Sequence, residues 1–263
     1  MNYFVSIENS CYHGWQINLL IESFKVLGLE DNLYISEARS DKEYITNKNF
    51  LNHNKKYVHE NIGRKADLLK LNKWSALYTL IENKAITLPL TVLDPDVVIY
   101  KETEIQNEQL IFSNDPSFVY NKRYSKLIKM SEENKDKWPN LGEVFIFNDL
   151  PLNFFKDTMT FLQIAGLDPK KYQADKVALF AAMCKHKVNR VLGTEEIEGN
   201  LTEHKIKNII SYRHGVNPIF NKKLYKNNGM NFSMATDSAI NLLSKMENTP
   251  SLEYVSKVAK RLL

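Results

Sequence analysis

A strand, a helix and a second strand open the chain in quick succession, and that order constrains the fold more than any other feature. Tyr3-Phe4-Val5-Ser6-Ile7 has the apolar pattern of a buried strand. Glu8-Asn9-Ser10 is a polar turn suited to capping a helix. Leu19, Leu20, Phe24 and Leu27 then recur at three- and four-residue spacings, which predicts a helix from Trp15 to Leu27. Gly28 stands where a helix C-cap belongs. Leu33-Tyr34-Ile35-Ser36 reads as the second strand. A β-α-β opening points to an α/β layer architecture.

The rest of the chain continues that alternation. Residues 39–60 are polar and rich in Asn and Lys, the composition of a surface excursion. Trp74, Leu77, Tyr78 and Ile81 mark a helix from Asn72 to Asn83. Leu88–Leu93 and Val97–Tyr100 read as apolar strands on either side of Asp94-Pro95-Asp96, and Val144–Phe147 as another strand. Helices are predicted over 151–165, 173–187, 235–247 and 251–262. No repeat and no low-complexity linker interrupts the chain, so one α/β domain over residues 1–263 is expected, less regular in its C-terminal third.

Composition enters as a set of exclusions. Hydrophobic residues make up 43% of the 263 residues, with 9 Gly and 8 Pro, which excludes a disordered or collagen-like chain. No apolar run reaches the roughly 18 residues needed to cross a bilayer. Met1–Ile7 lacks a basic segment followed by a long apolar stretch, so no secretory signal is expected. Cys11 and Cys184 are too few for a disulfide framework and read as reduced thiols of a cytoplasmic protein. The net charge of +4 matters only if it is clustered.

Asp94-Pro95-Asp96 is the most informative stretch. Carboxylates beside Leu93 and Val97 are costly to bury without a compensating charge. A hard divalent cation, Mg²⁺ or Mn²⁺, supplies it, and such ions commonly bridge protein carboxylates to a diphosphate. Pro95 stiffens the turn between them. Asp-Pro-Asp is equally a common turn sequence, and spacing alone leaves both readings open. Lys73 and Arg64 lie upstream, where each is either a phosphate contact or solvated surface.

Val92-Leu93-Asp94-Pro95-Asp96-Val97-Val98-Ile99 resembles the Asp-x-Asp strand end of nucleotide-sugar glycosyltransferases of the GT-A fold. Within that fold the chain resembles the hydroxyproline O-arabinosyltransferase and peptidyl-serine galactosyltransferase group and related phage enzymes that glycosylate DNA bases. Cys11-Tyr12-His13-Gly14-Trp15-Gln16 is similar to the group's Cys, Tyr and Trp-Gln start. Asn72-Lys73-Trp74 is similar to its Asn-Lys-Pro helix start, with Trp in place of Pro. Ile210–Gly215, which contains His214, resembles its late His/Tyr-Gly stretch, and Phe220–Tyr225 its Phe-Asp-Lys-Arg-x-Tyr. These short matches fall in the family's order over residues 3–225. The secretory or membrane anchor of the eukaryotic members is not expected here, and the expectation is a bacterial or phage cytoplasmic enzyme.

The resemblance implies a GT-A-like, Rossmann-type mixed sheet flanked by helices. Residues 1–110 would form a nucleotide-sugar-binding half and 111–263 an acceptor-side half. It implies a UDP-sugar donor with Mn²⁺ or Mg²⁺. Asp96 would be the main metal ligand, Asp94 would face the metal or the ribose, and His214 would be the late ligand. Lys222 or Lys223 would contact the diphosphate, with Lys73 and Arg64 near the donor. Tyr12 and Trp15 are candidates for stacking on the base, with Trp15 better placed for the core. Asp115 and Asp175 are candidate general bases on the acceptor side. Retention or inversion is left open.

Basic residues cluster at Lys122-Arg123 with Lys126 and Lys129, at Lys185-His186-Lys187 with Arg190, and from Lys205 to Lys226. Tyr212, Phe220, Tyr225 and Phe232 interleave with the last group. If these groups share a face it would suit a phosphate backbone, with aromatics to stack on an exposed base. The expectation is transfer of a sugar, arabinose first, to a hydroxymethylated pyrimidine in phage DNA. The alternatives are the same donor chemistry on a protein, glycan or small molecule, and a nucleic-acid-binding protein whose Asp94-Pro95-Asp96 is only a turn. The oligomeric state stays open.

Overall fold

The computed structural model describes residues 1–8, 11–39, 52–60, 62, 69–104, 107–114, 141–165, 174–194, 196–197, 202–204, 209–211, 240–241, 243–245 and 250–263. Among them the elements are β1 (Asn2–Glu8), α1 (Cys11–Leu27), β2 (Leu33–Ala38), β3 (Lys56–His59), α2 (Leu69–Glu82), β4 (Leu90–Leu93), β5 (Val97–Ile99), β6 (Leu110–Asn114) and β7 (Leu141–Phe147). They continue with α3 (Leu152–Ala165), α4 (Ala174–Lys185), β8 (Val191–Thr194), β9 (Glu196–Ile197), β10 (Thr202–His204), β11 (Ile209–Ser211) and α5 (Pro250–Lys260). One sheet has seven strands in the order β3-β2-β1-β4-β7-β6-β8, and a second has four in the order β5-β11-β10-β9. The large sheet is mixed: β2–β3 and β6–β8 are parallel, while β7 runs antiparallel to both β4 and β6. The α/β expectation is met.

Several boundaries differ from the sequence reading. Helix α1 starts at Cys11, not Trp15, because residues 14–24 are buried on every side and leave no apolar stripe to mark the start. Helix α2 starts at Leu69, ahead of Asn72. The polar stretch 39–60 contains a strand, β3, whose side chains are half-buried or exposed at the sheet edge and carry little hydrophobic signal. Strands β6 and β8–β11 were not expected at all; β9–β11 are two or three residues long. The helix expected over 235–247 falls largely outside the described residues.

Packing divides the chain into two compact units, each made of three separate stretches. The first comprises Met1–Phe4, Glu60–Val92 and Ile105–Thr194. Its core is a run of aromatic contacts. Phe145 and Phe147 sit two residues apart on one face of β7 and so point the same way. Trp74 of α2 lies 6.2 Å from each ring, and Phe147 meets Phe154 and Phe155 of α3 at 6.1 and 5.3 Å. Helices α3 and α4 are joined through Asp157, which accepts hydrogen bonds from Lys185 at 2.8 Å and from His186 at 2.7 Å.

Burial pushes the Asp157 carboxyl up, but the hydrogen bonds from Lys185 and His186 and their charges outweigh it and hold the group below its ordinary 3.8. A carboxyl depressed in the folded state stabilises the fold above its unfolded value and loses that contribution as the pH falls through the folded one. The stability gap between the wild type and Asp157→Asn is therefore expected to be full at neutral pH and to close below pH 3.8. Denaturant unfolding across that range checks it.

Three helices end in one motif. In α1, Leu29 N–H reaches Phe24 C=O at 2.9 Å, with Gly28 at φ 66°. After α2, Ala85 N–H reaches Leu80 C=O at 2.9 Å, with Lys84 at φ 57°. After α4, Val188 N–H reaches Met183 C=O at 3.0 Å, with Lys187 at φ 52°. The left-handed position suits Gly because a Cβ there crowds the backbone. Lys84→Gly and Lys187→Gly are each expected to raise stability by about 0.5–1 kcal/mol, measured by chemical denaturation.

The second unit comprises Val5–His59, Leu93–Glu104 and Glu195–Leu263. Its core joins Trp15 and Leu19 of α1, Val98 of β5, Ile240 and Leu243, and Val255, Val258 and Ala259 of α5. Arg261 closes this side with a 2.6 Å bond from its Nε to the buried Glu22 carboxylate of α1.

Candidate functional site

Strands β1 and β4 are neighbours in the large sheet. Asn2, the first residue of β1, donates its N–H to Pro89 C=O at 3.3 Å and its side-chain amide to Thr87 C=O at 2.9 Å. Both acceptors lie just ahead of β4, so the two strands start at one edge and run the same way. Strands β2 and β3 extend the sheet from β1 in one direction and β4 in the other. The strand order therefore reverses between β1 and β4. In open α/β sheets, ligands bind in the crevice beyond the carboxyl ends of the strands at such a reversal.

Asp94-Pro95-Asp96 follows β4 at that edge. The sequence explains the break: Leu90–Leu93 is buried throughout, and Pro95 has no N–H to continue a ladder. Asp96 is 5% exposed and Asp94 is half-buried. Strand β5 starts at the next residue and pairs antiparallel with β11, with Val97 opposite Ser211, Val98 opposite Ile210 and Ile99 opposite Ile209. Two further elements hold β5. Ser23 of α1 accepts the Ile99 N–H at 3.3 Å, and Tyr254 of α5 donates its hydroxyl to the Ile99 C=O at 2.8 Å. The Tyr254 ring also meets Tyr100 edge-on at 6.0 Å.

The donor chemistry fits a hard divalent cation: two carboxylates, one buried, on a stiff turn at the carboxyl edge. Among the described residues no group of three or more His, Cys, Asp or Glu side chains gathers into a metal-holding cluster. The third ligand implied by the family resemblance, His214, lies outside the described residues, as do Arg64, Asp115, Lys222 and Lys223.

Other candidates can be placed. Tyr12 lies in the first turn of α1, and its side chain is outside the described residues. Trp15 is fully buried in the core of the second unit, so it does not face a nucleotide. In the first unit, Lys73 is half-buried in α2 beside Asn72, whose side-chain oxygen accepts the Ile62 N–H at 3.0 Å. Asp175, in the first turn of α4, is ion-paired with Lys70 of α2 at 2.5 Å. Of the basic cluster at 185–190, Lys185 and His186 pair with Asp157, and Arg190 lies 3.6 Å from Asp149. The basic groups at 122–129 and 205–226 are outside the described residues.

Sequence reading missed Ser23 and Tyr254. Tyr254 is 155 positions from the carbonyl it holds, and Ser23 sits within a helix where nothing distinguishes it from any small polar residue.

No protein-family description and no curated protein matches the sequence. Among solved structures, a galactosyltransferase, LgtC, in complex with donor and acceptor sugar analogues is 12% identical, with 74% of this chain and 73% of that one covered at a TM-score of 0.42. An active-site mutant of LgtC is 14% identical, with 74% and 72% covered at 0.41. A glycosyltransferase involved in the glycosylation of the major capsid of PBCV-1 is 9% identical, with 74% and 82% covered at 0.45.

Proposed function

We propose that this chain is a metal-dependent glycosyltransferase of the GT-A type, moving a sugar from a UDP-sugar to an acceptor hydroxyl. The observation that carries the reading is the position of Asp94-Pro95-Asp96 at the carboxyl edge of the sheet, where the strand order reverses. The register of β5 on β11 supports it. Ser211 stands opposite Val97, so β11 ends beside the residue that follows Asp96. His214 is three residues further on, a distance the chain spans in about 10 Å when extended. By resemblance His214, on the segment that follows β11, is the proposed third ligand.

When bound, a divalent ion neutralises the charge that builds on a leaving diphosphate. The protein's part is to hold and orient. Asp96 and Asp94 supply hard oxygen ligands, and His214 a nitrogen suited to Mn²⁺. Helix α1 follows β1 at the same edge and presents its N-terminus there, which favours phosphate oxygens. By resemblance Lys73, Arg64, Lys222 and Lys223 face the diphosphate and Tyr12 the nucleotide. Asp115 is the candidate base. Asp175 is the weaker choice, since one of its oxygens is occupied by Lys70.

The proposed acceptor is a hydroxymethylated pyrimidine in DNA, supported by the late basic residues and the aromatics among them, with arabinose the first sugar to try. The test is incubation with hydroxymethylcytosine DNA, a peptide and a glycan, each with a panel of UDP-sugars and Mn²⁺, read by product mass. A mass gain on DNA supports the full reading. Transfer only to the peptide or glycan overturns the DNA acceptor, and absence of both transfer and donor hydrolysis overturns the enzyme.

A further inference from the structure

The segment proposed to carry the acidic metal ligands runs directly into a short ladder. Strand β5 follows Asp96 directly, and β11 pairs with it over three residues and ends opposite Val97. A three-residue strand has little stiffness of its own. Its position is set at Ile99, whose N–H is taken by Ser23 of α1 and whose C=O is taken by Tyr254 of α5. Ser23 is fully buried, and its own hydroxyl proton goes to the Leu20 C=O at 2.7 Å, which leaves a lone pair aimed at Ile99. Val98, the residue between Ile99 and Val97, packs with Trp15 and Leu19 of α1 and with Val255, Val258 and Ala259 of α5.

We infer that Ser23 and Tyr254 are positioning residues for the metal site: by clamping the two sides of Ile99 they set where β5 delivers Asp96 and where β11 leaves the ladder. This inference rests on the metal-dependent reading above and adds to it a role for the C-terminal helix. Neither side chain touches the ion or the donor. They act through three residues of backbone, as outer-shell groups act through a ligand.

Tyr254→Phe is the cleanest probe, because the ring that packs on Tyr100 is kept and only the hydroxyl is lost. Ser23→Ala removes the other hydrogen bond and is an independent second variant. Tyr78→Phe is the control: it deletes a solvent-exposed 2.5 Å hydrogen bond from Tyr78 to Glu82 within α2. Mn²⁺ binding to the whole chain is read by electron paramagnetic resonance of the free ion, alongside thermal unfolding and UDP-sugar hydrolysis at varied Mn²⁺. Tyr254→Phe and Ser23→Ala are each expected to weaken Mn²⁺ binding about ten-fold. Turnover at saturating Mn²⁺ is expected to stay near that of the wild type, and Tyr78→Phe to bind as the wild type does. Wild-type Mn²⁺ affinity in both variants, with binding still lost in Asp96→Asn, overturns the inference and leaves the metal reading standing. Equal weakening in Tyr78→Phe overturns it as a general stability effect. No Mn²⁺ binding by the wild type overturns the metal reading itself, and the inference with it.

Discussion

Asp96→Asn is expected to lower metal-dependent turnover of a UDP-sugar by roughly 10²–10³-fold, the range seen when one preorganised electrostatic contact is removed from a reacting centre. The substitution keeps the shape of the side chain and removes its charge. Asp96 is 5% exposed, so its charge is largely removed from water and a cation nearby feels it strongly. Asp94 is half-buried, and Asp94→Asn is expected to cost less, about ten-fold. The check is initial rates at several Mn²⁺ concentrations, with circular dichroism to show that the fold survives. Full activity in Asp96→Asn at every concentration would sink the metal assignment and return Asp94-Pro95-Asp96 to the status of a turn.

Gly142→Ala is the substitution expected to harm the fold most. A Cβ at Gly142 would lie 2.1 Å from Ser113 Oγ and 2.3 Å from Ser113 O. Relief is hard to find. Ser113 is fully buried, its Oγ accepts the Val144 N–H at 3.2 Å, and its carbonyl belongs to the β6 backbone. The register of β6 on β7 shifts between Phe112 and Asn114, so this is a bulge whose backbones approach where only Gly fits. Overpacking against backbone predicts a loss of about 3 kcal/mol. That corresponds to a fall in Tm of roughly 6–12 °C for a chain of this size. Gly28→Ala is the comparison: nothing lies within 4 Å of its Cβ, and only its φ of 66° counts against it. It is expected to cost about 1 kcal/mol. If thermal unfolding gave the two variants equal losses, the close approach at Ser113 would be refuted.

Much of the scaffold was legible in the residues. The opening β-α-β order, the C-cap at Gly28 and the presence of apolar strands on both sides of Asp94-Pro95-Asp96 agree with the sequence reading, because each is set by neighbours within a few positions. The misses have a common cause. Helix α1 is buried on every side over residues 14–24 and shows no period to locate its start. Strand β3 lies at a sheet edge, and β9–β11 are too short to show alternation. Gly142 looks like any glycine until β6 is laid against it.

By itself the sequence determined the layer class, the position of the acidic turn and the residue types suited to a divalent ion, since these follow from local pattern and side-chain chemistry. Only the tertiary structure decided that the turn stands at a reversal of strand order, that β11 ends beside it, and that Ser23 and Tyr254 close on Ile99 from two sides. The reason is sequence distance. The Tyr254 hydroxyl and the Ile99 carbonyl are 155 positions apart, and no local propensity records a hydrogen bond that exists only once the chain has folded around it.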